Sequence, residues 1–115
     1  MRKVNSDRVK VNYDTANVVF YGRVDPVEDL KACVSDVAFL HIKDKAGAVD
    51  EWNFPAPGKG YIDFDGVFDV LNQNGNNSPF SVEIEFTAAG PSNLEEVNQA
   101  VRDSAAFFRA HGIAL

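Results

Sequence analysis

Three residues far apart in the chain could together hold a divalent metal ion. Asp14 closes the polar face of the alternating run "VKVNYD", His41 lies in "DVAFLHIKDK", and Glu83 lies in "SPFSVEIEF". Two carboxylates and an imidazole make a mixed oxygen and nitrogen ligand set. Such a set suits manganese, magnesium, cobalt or zinc and does not choose among them. Asn12, Lys43 and Glu85 share the same strand faces and could hold substrate hydroxyls or support the ligands. Trp52, in the middle of a loop rich in Pro and Gly, could cover a bound molecule. Each residue also has a plainer reading. Aspartate is at home in turns, and a partly buried histidine can simply be hydrogen-bonded. Lys43 could pair with Glu85 as a structural bridge, and Trp52 could anchor its loop. Glu83 is harder to dismiss, because two glutamates on one face of a strand with four apolar partners on the other need either water or a cation.

The elements that must position these residues follow from periodicity. Val9, Val11 and Tyr13 alternate with Lys10, Asn12 and Asp14, which predicts a strand with one apolar face. "DPVEDLKACV" predicts a helix, with Asp25 as N-cap, Pro26 at the first position and Glu28 completing a capping box. "DVAFLHIKDK" predicts a second strand, with Phe39, His41 and Lys43 on one face and Ala38, Leu40 and Ile42 on the other. The loop "AGAVDEWNFPAPGKGYI" follows; its Gly58 to Gly60 segment is too short and misplaced for a phosphate-binding glycine loop. A helix capped by Asp63 and closed by Gly75 is expected next, and then a third strand with Phe80, Val82, Ile84 and Phe86 opposite Ser81, Glu83 and Glu85. A last helix starts in a Ser92–Glu95 capping box and ends at Gly112, with Leu94, Val97, Val101, Ala105 and Phe108 along one side. His111, in its final turn, suits the helix dipole and receives no chemical role.

Three successive strand–helix units imply parallel strands joined by helical crossovers. In a doubly wound sheet, the rival arrangement, central strands lie under helices on both faces and read as nearly continuous apolar runs. Here each strand keeps a polar face, and the polarity deepens toward its C-terminal end. That is the pattern of a barrel, whose active site lies at the C-terminal mouth. Asp14, His41 and Glu83 would converge there.

Composition excludes several function classes. A net charge of −6 and scattered basic residues give no stripe for nucleic acid. The apolar runs fall well short of the ~20 residues that a membrane span needs. No apolar leader follows Met1, and the single cysteine, Cys33, permits no internal disulfide. A reducing cytoplasm is the natural reading, with Cys33 a buried structural thiol.

The segments "VNYDTANVVFYGRVDPVEDL", "VAFLHIKDK", "EWNFPAPGKGYIDF" and "PFSVEIEF" resemble, in order and spacing, the last part of the xylose-isomerase-like TIM barrel family. The resemblance covers residues 1–115 and implies an α/β fold: a partial (β/α)8 TIM barrel of about three C-terminal units, strands six to eight. Family members bind one divalent metal ion through a Glu, an Asp, a His and a Glu on strands five to eight. The last three match Asp14, His41 and Glu83, with Glu85 as the alternative if the register is off by one pleat. Ala16 stands where a glycine is common, and Pro57 and Lys59 replace the commoner Leu and Glu. The strand-five glutamate has no match, and a complete barrel needs about 200 residues or more.

The resemblance further implies a sugar or polyol isomerase, epimerase or dehydratase acting on a small substrate, with or without a phosphate. The metal would grip the carbonyl and a neighbouring hydroxyl and stabilise an enediolate, with Glu83 as one of two proton-moving glutamates. Alternatives are a non-catalytic truncated fragment or assembly module with a residual metal site, and an endonuclease-IV-like repair enzyme. Two histidines and an acidic balance disfavour the last. The isolated chain is expected to bind metal weakly and turn over little, and its exposed strand edges suggest a homo-oligomer.

Overall fold

The computed structural model describes residues 4–115. Strand β1 (Val11–Asp14) leads into a short helix, α1 (Asn17–Phe20), and then helix α2 (Pro26–Cys33). Strand β2 (Val37–Ile42), helix α3 (Phe64–Gln73), strand β3 (Phe80–Val82) and helix α4 (Leu94–Ala110) complete the chain. The strands form one sheet in the order β1-β2-β3, and both pairings are parallel. The alternating strand–helix order expected from the sequence is therefore present, as the sector of a parallel barrel. Residues 4–10 form turns and irregular chain, and Val9, read as the start of the first strand, is exposed.

One face of the sheet is dry. Tyr13, Leu40 and Ile42 pack against Leu30 of α2, Val67 and Leu71 of α3, and Phe108 of α4. This is the alternation read from the sequence, with the apolar residues under helices and the polar ones on the opposite face. Asp25 caps α2 by accepting from Glu28 N at 3.0 Å, and Asp63 caps α3 by accepting from Gly66 N at 2.9 Å. Gly75, at φ +62, turns the chain out of α3 in a conformation that favours glycine.

Four local expectations differ from the structure. The Glu28 side chain does not close a capping box; it pairs with Lys31. The box at α4 lies one residue further on: Asn93 accepts from Glu96 N, and the Glu96 carboxylate accepts from Ser92 N. The third strand is shorter than its alternation suggested, because its outer side carries no partner strand among the described residues, and Phe86 is exposed. Helix α4 is rotated from its expected stripe: Leu94 and Val101 face outward, while Ser104 and Phe108 are buried.

Tyr13 fastens β1 to α2. Its hydroxyl lies 2.9 Å from the Pro26 carbonyl and 3.0 Å from Asp29 Oδ2. Burial, reinforced by the Asp29 carboxylate, pushes the hydroxyl's pKa far above its usual value. It therefore acts only as a donor here. We expect Tyr13→Phe to cost about 1 kcal/mol, the usual net worth of such a bond, read as a lower midpoint in thermal or urea denaturation.

Candidate metal centre

The register of the sheet brings the three sequence-predicted ligands together. Asp14 pairs with His41 across β1 and β2, and His41 pairs with Ser81 across β2 and β3. Glu83 lies two residues past Ser81 on the same face and stays in the ladder through Glu83 N to Ile42 O, 3.3 Å. His41 Nδ1 is 3.9 Å from Asp14 Oδ2 and 3.5 Å from Glu83 Oε2. One donor atom from each of the three lies within 4.8 Å of the others. Ligand atoms around a single zinc or similar ion stand about 3.0–3.4 Å apart, given bonds of about 2.1 Å. The set therefore fits a small divalent cation with slight closure, and both its chemistry and its spacing suit one.

Asp14 serves the turn with one oxygen and faces the cluster with the other. Its Oδ1 accepts from Ala16 N at 3.0 Å and Asn17 N at 2.9 Å, which is turn chemistry. Its Oδ2 faces His41. Burial raises the pKa of this carboxyl, against the opposing pull of the Asn17 and Ala16 amides and the Lys43 charge. Ala16 needs no glycine here, since it sits at φ −93 and ψ −33.

Thr15, which sequence reasoning passed over, holds the next step of the ladder. Its backbone N–H donates to His41 O at 3.2 Å. Its hydroxyl donates to Lys43 O at 2.6 Å and accepts from Lys43 N at 3.0 Å. The strand thus ends at Asp14, yet a side chain continues its pairing and fixes the backbone between His41 and Lys43.

Lys43 is buried and pairs closely with Glu85, so the structural bridge is formed. Its Nζ also lies 3.5 Å from Glu83 Oε2, the oxygen that faces His41. Phe54 covers the ammonium at 4.2 Å from its ring centroid, and Trp52 stands at 5.7 Å. Trp52 packs edge-on against Phe54 and Phe20, 4.8 and 5.1 Å between ring centroids, and remains 40% exposed. It anchors its loop and borders the site together. Asn12 lies two residues before Asp14 on the same strand face and is exposed. Glu85 stands back from His41, with its charge committed to Lys43.

One further group had no clear signal in the sequence, and two others differ from their expected roles. Asp44 is fully buried and accepts four backbone N–H groups. Its only hint was the pair of nearby glycines, Gly58 and Gly60, whose amides need an acceptor. His111 Nε2 lies 3.0 Å from Asp65 Oδ1, which ties α4 to α3, and Cys33 is only half-buried at the end of α2.

Comparison with known proteins gives a consistent result. The family profile described as xylose isomerase-like TIM barrel matches residues 1–111. An inosose dehydratase of Clostridium tetani is 30% identical over 110 residues, covering 83% of this chain and 37% of that protein. Among solved structures, the IolI protein with a bound zinc atom superposes with a TM-score of 0.75 at 22% identity, covering 99% of this chain and 42% of that one. The D-psicose 3-epimerase of Clostridium cellulolyticum H10, solved with D-tagatose, gives 0.72 at 17% identity, covering 95% and 40%. The chain thus spans about two-fifths of the length of the proteins it matches.

Proposed function

The chain belongs to the xylose isomerase-like TIM barrel family, and from that premise we propose that it supplies Asp14, His41 and Glu83 to a single divalent metal in a sugar or polyol isomerase, epimerase or dehydratase. The observation that carries this reading is the convergence of the three donor atoms within 4.8 Å at the C-terminal ends of three adjacent parallel strands. A zinc-bound structural neighbour and two sugar-linked relatives support it.

When bound, the metal supplies Lewis acidity toward a carbonyl and its neighbouring hydroxyl. Glu83 moves the proton at the adjacent carbon. His41 and Lys43 both face its Oε2 and so hold the carboxylate in place. Phe54 and Trp52 screen Lys43 from water, which strengthens its hold on Glu83 and Glu85. Asn12 and Glu85 are the remaining polar groups assigned to the substrate side, and the substrate is a small sugar or polyol met in the cytoplasm.

Calorimetric titration of the full chain with manganese or zinc tests the reading. The expected result is one site with weak affinity and little turnover of free ketoses. Absence of any binding heat would leave only the fold. A second reading is a non-catalytic module with a residual metal site. Metal binding without proton exchange at a ketose carbon, followed by NMR in deuterated water, would favour it. The outer edges of β1 and β3 make self-association part of either reading, and a monodisperse monomer by light scattering would count against it.

Asp14 gives the site a pH signature. Metal binding needs its ionised form. A carboxyl with a raised pKa is protonated at higher pH than an ordinary aspartate, so affinity should begin to fall above the usual carboxylate range. The same shift has the opposite sign for folding. The folded state holds this proton more tightly than the unfolded chain, so ionising Asp14 destabilises the fold as pH rises from the unfolded pKa to the folded one. We expect Asp14→Asn, which keeps the turn acceptor, to bind metal far more weakly while losing no stability at neutral pH. Loss of stability in denaturation would contradict this.

A further inference from the structure

The loop after β2 is built around a buried anion that belongs to the chain itself. Asp44 Oδ1 accepts from Lys45 N at 2.8 Å and Ile62 N at 3.1 Å. Its Oδ2 accepts from Gly58 N and Gly60 N, both at 2.9 Å. Four convergent backbone amides form the kind of concavity that elsewhere binds phosphate. Barrels of this architecture frequently hold a phosphate in the loops after their last two strands. In this chain those amides are already satisfied from within.

The glycines fit that purpose. A Cβ at Gly60 would stand 2.2 Å from Lys45 O and 2.4 Å from Asp44 Oδ1, so only glycine lets the chain close on the carboxylate. Gly58 sits at φ +89 with Phe107 packed beneath it. Tyr61 N donates to Lys45 O at 2.8 Å, and Ala46 N to Asn53 O at 3.0 Å, so both legs of the loop are tied where they leave the sheet. The loop between them carries Trp52 and Phe54 to the Lys43 ammonium.

We propose that Asp44 is an internal anion, a positioning residue that holds this loop closed over Lys43 and, by filling its amide nest, keeps these four amides from serving a ligand's phosphate.

The test uses the full chain, isotope-labelled, in phosphate-free buffer. Inorganic phosphate added to the wild type should leave the amide resonances of Lys45, Gly58, Gly60 and Ile62 unmoved. In Asp44→Ala, those resonances should broaden or shift, and the emission of Trp52, the single tryptophan, should move to the red. Formate, which replaces the missing carboxylate, should restore both. Saturable phosphate shifts at these amides in the wild type would overturn the proposal, as would an Asp44→Ala protein whose Trp52 emission matches the wild type. If Asp44→Ala does not fold, Asp44→Asn serves instead: it keeps the shape, loses the charge, and should redden Trp52 partially. Unchanged emission there would equally count against the proposal. Absence of metal binding would defeat the sugar-site reading while leaving these amide and fluorescence results to stand or fall separately.

Discussion

His41→Ala should lose metal binding almost completely while the protein stays folded. His41 is the only nitrogen donor in the cluster and stands between the two carboxylates, 3.9 Å from one and 3.5 Å from the other. Without it, Asp14 and Glu83 are two like charges facing a gap, with no neutral donor between them. Removing a group that merely supports a metal ligand costs 10–100-fold in affinity, so loss of a ligand itself should exceed about 100-fold, equivalent to roughly 2.7 kcal/mol. The fold should tolerate the change, because the imidazole sits on the polar face of β2, away from Leu40 and Ile42. Calorimetry reads the affinity, and far-ultraviolet circular dichroism checks the fold. Equal affinity in the variant would place the ion elsewhere.

Thr15→Val should be the most damaging conservative change in the chain. Valine matches threonine in shape but has no hydroxyl. The hydroxyl answers both Lys43 N and Lys43 O in a buried setting. Each buried backbone group left unsatisfied costs about 1–3 kcal/mol, so the variant should lose about 2–5 kcal/mol. For a domain of this size that corresponds to a drop in Tm of about 10 °C or more. Thr15→Ser, which keeps the hydroxyl, should stay within about 1 kcal/mol of the wild type. Similar losses in both would mean that the methyl group, and not the hydroxyl, matters.

The convergence of Asp14, His41 and Glu83 was legible in the sequence for a simple reason. Strand alternation has a period of two, so Asp14, His41 and Glu83 could be assigned to polar faces, and parallel pairing then had to bring their ends together. What escaped were bonds between side chains and backbone, which leave no periodic trace. Thr15 reads as an ordinary polar turn residue, yet it replaces a strand residue in the ladder. Lys43, Asp44 and Lys45 carry no periodic sign of burial, yet all three are buried, because each charge finds an acceptor, donor or aromatic ring nearby. The α4 stripe failed differently. Its apolar residues are spread widely enough that a small rotation exchanges Leu94 and Val101 for Ser104 as the buried positions. Ser104 accommodates burial by donating to Ala100 O at 2.7 Å. The α4 cap was misplaced because Ser92 and Asn93 are both capping residue types, each with a glutamate three positions on.

The double use of Asp14 also bears on how fast an ion could come and go. Its rotamer is chosen by the turn before any ion arrives, since Oδ1 is already held by two amides. Capture therefore costs little ordering at that ligand. The Glu83 side chain is 38% exposed, against 14% for Asp14. An ion approaching from solvent would meet Glu83 first and the pre-set Asp14 oxygen deeper in, so entry to the cluster runs past the segment that follows β3.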